Sequence, residues 1–134
     1  MDKLNQVDKI EAFLSQQGWP VTRIAPSVLK SNFRGSHSAF PLAVQIEDSW
    51  IKLMVVPMAR MPTDASKAEI LYERLLRLNR EIRLARFSLD EDGDVLLSVE
   101  FPGGELDPSE IKDALDVLSF YAEKHQPEIK RIVM

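Results

Sequence analysis

A chain of 134 residues with 45% hydrophobic and 28% charged content suits one domain with a real core over residues 1–134. With no cysteine it can build neither a disulfide framework nor a thiolate nucleophile or metal site, and a formal charge of −4 with a pI near 5.2 gives no global electrostatic footprint for nucleic acid. The opening MDKLNQVDK lacks the basic and apolar regions of a signal peptide, and no apolar run approaches the roughly 18 residues of a membrane span, so a cytoplasmic protein without membrane association is expected.

The first predicted element is an amphipathic helix. Leu4, Val7, Ile10, Phe13 and Leu14 recur at helical spacing, Gly18 marks the stop and Pro20 prevents continuation. Trp19 is placed to pack back on it. Over VTRIAPSVLKSNFRGSHSAF the pattern weakens and Pro26 interrupts it; Val28 to Arg34 is predicted as a strand and Gly35 to Ser38 as its turn. Phe40, Leu42, Val44 and Ile46 then alternate with Ala43, Gln45 and Glu47, the Glu47-Asp48-Ser49 segment turns the chain, and Trp50 to Val56 returns. This third strand is apolar on both faces: Ile51, Leu53 and Val55 on one, Trp50, Met54 and Val56 on the other, broken only by Lys52. Both faces therefore require cover, the outer one either from a helix or loop of the same chain or from another chain.

Pro57 and Pro62 bracket a linker, after which Ser66-Lys67-Ala68-Glu69 reads as a capping box for a central helix. Leu71, Leu75 and Leu78 form its main stripe, and Tyr72 and Leu76 a second, so its apolar face is broader than covering a single sheet requires. The chain passes through REIRLARFSLD into an Asp92-Gly93 turn, a strong hairpin signal. Period two sends Ala85, Phe87, Leu89, Val95, Leu97, Val99 and Phe101 to the core, while Leu84, Arg86, Ser88, Leu96, Ser98 and Glu100 face water or a partner. Pro102-Gly103-Gly104 forms a loop; without a following Lys-Ser/Thr it is not a phosphate cradle. Asp107 caps the last helix, with Pro108 at its first position and Glu110 completing a capping box. Ile111, Ala114, Leu115, Leu118 and Ala122 point inward, His125 is placed near the C-terminal carbonyls, and the tail carries Ile129, Ile132 and Val133. The order is α-β-β-β-α-β-β-α: an α+β fold with an antiparallel sheet and helices packed on it.

The chemistry is sparse. Asp90, Glu91, Asp92 and Asp94 suggest calcium, but setting Gly93 in the glycine position of a calcium loop puts Val99 where a bidentate carboxylate is needed. A solvated hairpin tip remains. His37 and His125 are the only imidazoles, and no motif sets either beside a nucleophile and an orienting acid. Arg74, Arg77, Arg80, Arg83 and Arg86 read as a solvated face pairing with Glu69, Glu73 and Glu81. No catalytic residue, metal or cofactor is expected, and an enzyme is the least favoured class.

The run LYERLLRLNREIRLARFSLDEDGDVLLSVEFPGGELDPSEIKDALDVLSFYAEKHQPEI resembles the C-terminal half of the bacterial YbjN family: a Leu-x-x-Leu-Asn helix end, Phe-x-Leu-Asp, an acidic Gly turn, an apolar strand and a capped helix. It is also similar in element order to class I type III secretion chaperones. The resemblance implies a homodimeric, non-catalytic domain that binds another protein or acts as a regulator, with a dedicated secretion chaperone for an effector as the alternative. It further implies that the helix between the third and fourth strands helps form the dimer and that an extended partner segment lies on apolar patches. By position, Tyr72 and Leu76 match the first role and Trp50, Met54 and Val56 the second. The partner expected is a protein, not a nucleic acid.

Overall fold

The computed structural model describes residues 3–36, 38–47, 49–103 and 107–134. His37, Asp48, Gly104 and the side chain of Leu4 lie outside the described residues. The chain runs α1 (Lys3–Gln16), β1 (Thr22–Ala25), β2 (Val28–Arg34), β3 (Ala39–Glu47), β4 (Trp50–Ala59), α2 (Ala65–Glu81), β5 (Arg86–Leu89), β6 (Val95–Pro102) and α3 (Pro108–Val133). All strand pairs are antiparallel, and the six strands lie in the order β1-β2-β3-β4-β6-β5. The architecture is the expected α+β sheet with packed helices, plus one strand that the sequence did not announce. That strand, β1, is almost wholly exposed, so it shows no alternation of apolar and polar residues. Pro26 sits in the turn between β1 and β2, where Ala25 stands opposite Val28.

Alternation builds one core. Leu42, Val44, Ile51, Leu53, Val55, Val95, Leu97 and Val99 cover one face of the sheet and join Val7, Ile10 and Leu14 of α1, Leu71, Leu75 and Leu78 of α2, and Ile111, Leu115 and Leu118 of α3. Burying each such side chain contributes about 1.5–3 kcal/mol. Trp19 packs against this cluster, and its backbone N–H donates to the Leu14 carbonyl at 2.9 Å. An ion pair fastens α1 to the β1 edge, where Arg23 meets Asp8 at 2.6 Å and Glu11 at 3.0 Å.

Several boundaries differ from the sequence expectations. Strand β4 continues past Val56 to Ala59, because a break in its register to β6 between Val55 and Ala59 accommodates Pro57 where no ladder donor is needed. Helix α2 is capped by Asp64, not Ser66: its carboxylate accepts from Ser66 N at 2.8 Å and Lys67 N at 3.4 Å. A carboxylate at the positive end of the helix satisfies two orphan donors, and those donors hold Asp64 below the usual carboxylate range. Leu84 is not in a strand; it has φ 67° in the link to β5.

The largest difference is in α3. Asp107 caps it as predicted, accepting from Ser109 N at 2.9 Å, but the helix passes through Pro127 to Val133. Pro127 removes one intrahelical donor, yet Ile129 beyond it is fully buried and Ile132 and Val133 pack on the core. Burial outweighs the lost hydrogen bond. His125 therefore lies inside the helix, buried, and not at the terminal carbonyls.

Candidate functional site

Two surfaces remain once the helices are placed. The first is the face of the sheet opposite the core cluster. By register, Ala43, Met54 and Ser98 stand side by side on it, flanked by Lys30 and Arg86; the neighbouring rung holds Val28, Gln45, Lys52 and Glu100. Trp50 is 48% exposed, and Met54 is 8% exposed without joining the main core. Val56 is half-buried. Among the described residues no helix contributes a buried apolar side chain to this layer: those of α1, α2 and α3 all belong to the opposite cluster. An ion pair between Arg86 and Glu100 at 3.3 Å lies across β5 and β6, and the hydroxyl of Ser98 is buried without a hydrogen-bond partner.

The second surface is the edge formed by α2 and β5. A cavity of about 170 Å³ opens between them, lined by Tyr72, Leu75, Leu76, Asn79, Phe87, Ser88 and Leu89. Leu76 is 72% exposed. Tyr72, predicted on the same stripe, is half-buried, and its hydroxyl faces the Gly93 carbonyl at 3.4 Å. The two residues thus differ: Tyr72 supports the hairpin, whereas Leu76 stands free of the core.

Asn79 has a role that the sequence did not reveal. Its side chain accepts from Phe87 N at 2.7 Å and donates to Phe87 O at 2.9 Å, supplying on the open side of β5 the pairing that a further strand would give. In an antiparallel ladder alternate residues turn their amides outward, so Leu89, two residues on, directs its backbone groups to the same open side. An Asn at the end of a helix predicts no specific partner, so this contact required the fold.

The chemical candidates fall into structural positions. Asp90 accepts from the N–H groups of Asp92 and Asp94 at 2.9 and 3.0 Å, and Asp94 accepts from Met61 N at 2.7 Å; the carboxylates shape the turn around Gly93, whose φ is +86°. Among the described residues no group of three or more His, Asp or Glu is arranged to hold a metal ion. His125 stacks on Tyr121 with ring centroids 6.0 Å apart and meets Phe87 edge-on at 6.1 Å. Burial pushes its imidazole below the ordinary value, reinforced by Lys124 and Arg74 and opposed by Glu128 and Glu81. Such an imidazole packs as a neutral ring. Among the described residues no helix is long and apolar enough to cross a membrane.

Comparison with known proteins agrees with this architecture. No curated protein matches the sequence. Among solved structures, the ExsC–ExsE complex contains a similar chain, with a TM-score of 0.67 and 16% identity over 95% of this chain and 96% of that one. YbjN from E. coli gives 0.63 and 12% over 91% and 92%. A chain of the heterodimeric ExoU–SpcU complex from the type III secretion system of Pseudomonas aeruginosa gives 0.60 and 16% over 92% and 97%. At these identities the likeness shows a shared fold, that of type III secretion chaperones. The sequence pattern of one family, described as "Putative bacterial sensory transduction regulator", matches residues 6–131, and the chain belongs to that family, YbjN.

Proposed function

We propose that this chain is a non-catalytic, chaperone-like binding module of the cytoplasm, homodimeric through α2, that holds an extended segment of another protein on the outer face of its sheet. The observation that supports this most is the asymmetry of the sheet. All three helices pack on one face, while the other carries Trp50 and a floor of Ala43, Met54 and Leu96. Trp offers large contact area and Met adapts to varied apolar side chains, a combination suited to partners of differing sequence. Capture from the native cytoplasm followed by mass spectrometry, with wild type and Trp50→Ala in parallel, tests the reading. Trp50→Ala should keep its stability within about 0.5 kcal/mol and lose the partners; unchanged capture would remove this face as the binding site.

The dimer rests on α2. Leu76 is exposed beside the apolar cavity, and the exposed helix face is acidic at Glu69 and Glu73 and basic at Arg77 and Arg80. Two such helices related by a two-fold axis and running antiparallel would set each acidic half against a basic one. Light scattering should give about twice the 15.3 kDa chain mass, and Leu76→Glu should give a folded monomer. A monomeric wild type at tens of micromolar would end the idea. A narrower reading, a dedicated secretion chaperone, is supported by the similar chains in effector complexes such as HopA1–SchA; it requires that the captured partner be a secreted effector.

A further inference from the structure

We infer that the segment held on the outer sheet face is acidic, a conclusion that rests on the reading that this face binds an extended protein segment. One rung runs Lys30, Ala43, Met54, Ser98, Arg86 from β2 to β5, so its middle is small or apolar and each end is a cation. Lys52 stands one rung away, and Arg34 lies farther along β2 opposite Ala39. Within the strands the outer face thus sets four cations against two carboxylates, Glu47 and Glu100, while Asp90 and Asp94 at the hairpin tip are taken up by backbone N–H groups, in a chain of formal charge −4. Positive charge is gathered on the side away from the helices. Arg86 is already paired with Glu100, whereas Lys30, Arg34 and Lys52 form no ion pair among the described residues.

Ser98 adds an independent indication. Its hydroxyl lies buried in this rung, between Met54 and Arg86, without a hydrogen-bond partner. Ser98 stands directly opposite Met54 in the β4–β6 register, and its hydroxyl can donate to a carboxylate oxygen. The cations at either end would hold the same acidic group or its neighbours. A nucleic acid fits less well. Single strands are held by successive aromatic platforms, and among the described residues this face offers one aromatic ring, Trp50, with aliphatic neighbours.

Two short synthetic peptides with the same Met, Leu and Val anchors test the inference, one interspersed with Asp and Glu and the other with Lys. Calorimetric titration at low salt should show the acidic peptide binding about tenfold or more tightly than the basic one, with the difference shrinking at about 0.5 M salt. Lys30→Gln with Lys52→Gln should erase the preference, and Lys30→Glu with Lys52→Glu should reverse it; circular dichroism verifies that both remain folded. Equal binding of the two peptides, lost in Trp50→Ala, would overturn the acidic assignment and leave the docking face standing. Binding of neither peptide would overturn both. A single-stranded oligonucleotide that binds more tightly than the acidic peptide and is released by the charge-reversed variant would assign the face to nucleic acid instead.

Discussion

Asn79 and His125 both contact Phe87, one at its backbone and one at its ring, and each makes a different demand on it. Asn79 closes both backbone groups of Phe87; without the amide, a partly buried donor and acceptor lose their partners. Asn79→Ala should therefore cost about 1–3 kcal/mol in urea unfolding, and a value near zero would show that water replaces the amide at no cost. His125 contributes a pH dependence whose sign follows from burial. Its folded imidazole is held below the ordinary value of 6.5, so between the two values the unfolded chain binds the proton and the folded chain does not. Stability should be full above the ordinary value, fall as pH drops through it, and level off once the folded imidazole is protonated. Urea midpoints measured from pH 8 down to pH 5 should fall in wild type, with the part of that fall due to His125 absent in His125→Phe.

Helices and hairpins show where local pattern is sufficient and where tertiary packing overrides it. The Asp92-Gly93 turn was legible because positive φ is a local requirement. Adding a side chain at Gly93 would also bring Cβ to 2.6 Å from the Met61 sulfur, so Gly93→Ala should lower stability by about 1–2 kcal/mol through the left-handed backbone alone. Alternation likewise placed Ile51, Leu53 and Val55 inward and Trp50, Met54 and Val56 outward. Alternation could not say which face the helices would take, because that depends on residues far apart in the chain. Strand β1 was hidden for a related reason: an exposed edge strand has no buried side to leave a mark. Helix α3 misled in the opposite direction, since Pro127 is a local stop signal overridden by the burial of Ile129. With Pro127 exposed, Pro127→Ala should restore a helical donor and raise the thermal midpoint, with a gain of up to about 3 kcal/mol. A lower midpoint would mean that the proline's fixed φ is the larger contribution.

The whole molecule divides along one seam. Strands β1 to β4 follow one another as a meander, while β6 and β5 form a hairpin that joins the meander within the sheet through the β4–β6 ladder. That ladder pairs Ile51 with Phe101 and Leu53 with Val99, residues joined through the whole of α2 and the hairpin. Closing so long a loop costs entropy before any pair rewards it. The two halves can each assemble from near neighbours, and the seam between them can form only when both are in place. Opening should retrace the same division. Under native conditions, the amides that β4 and β6 exchange should gain deuterium in concert, as one cooperative unit, because no single rung of the seam can part while its neighbours hold. A chain severed between β4 and α2 would break no strand and divide only the β4–β6 pair between its pieces, so 1–61 and 62–134 are expected to find each other in solution and rebuild the sheet.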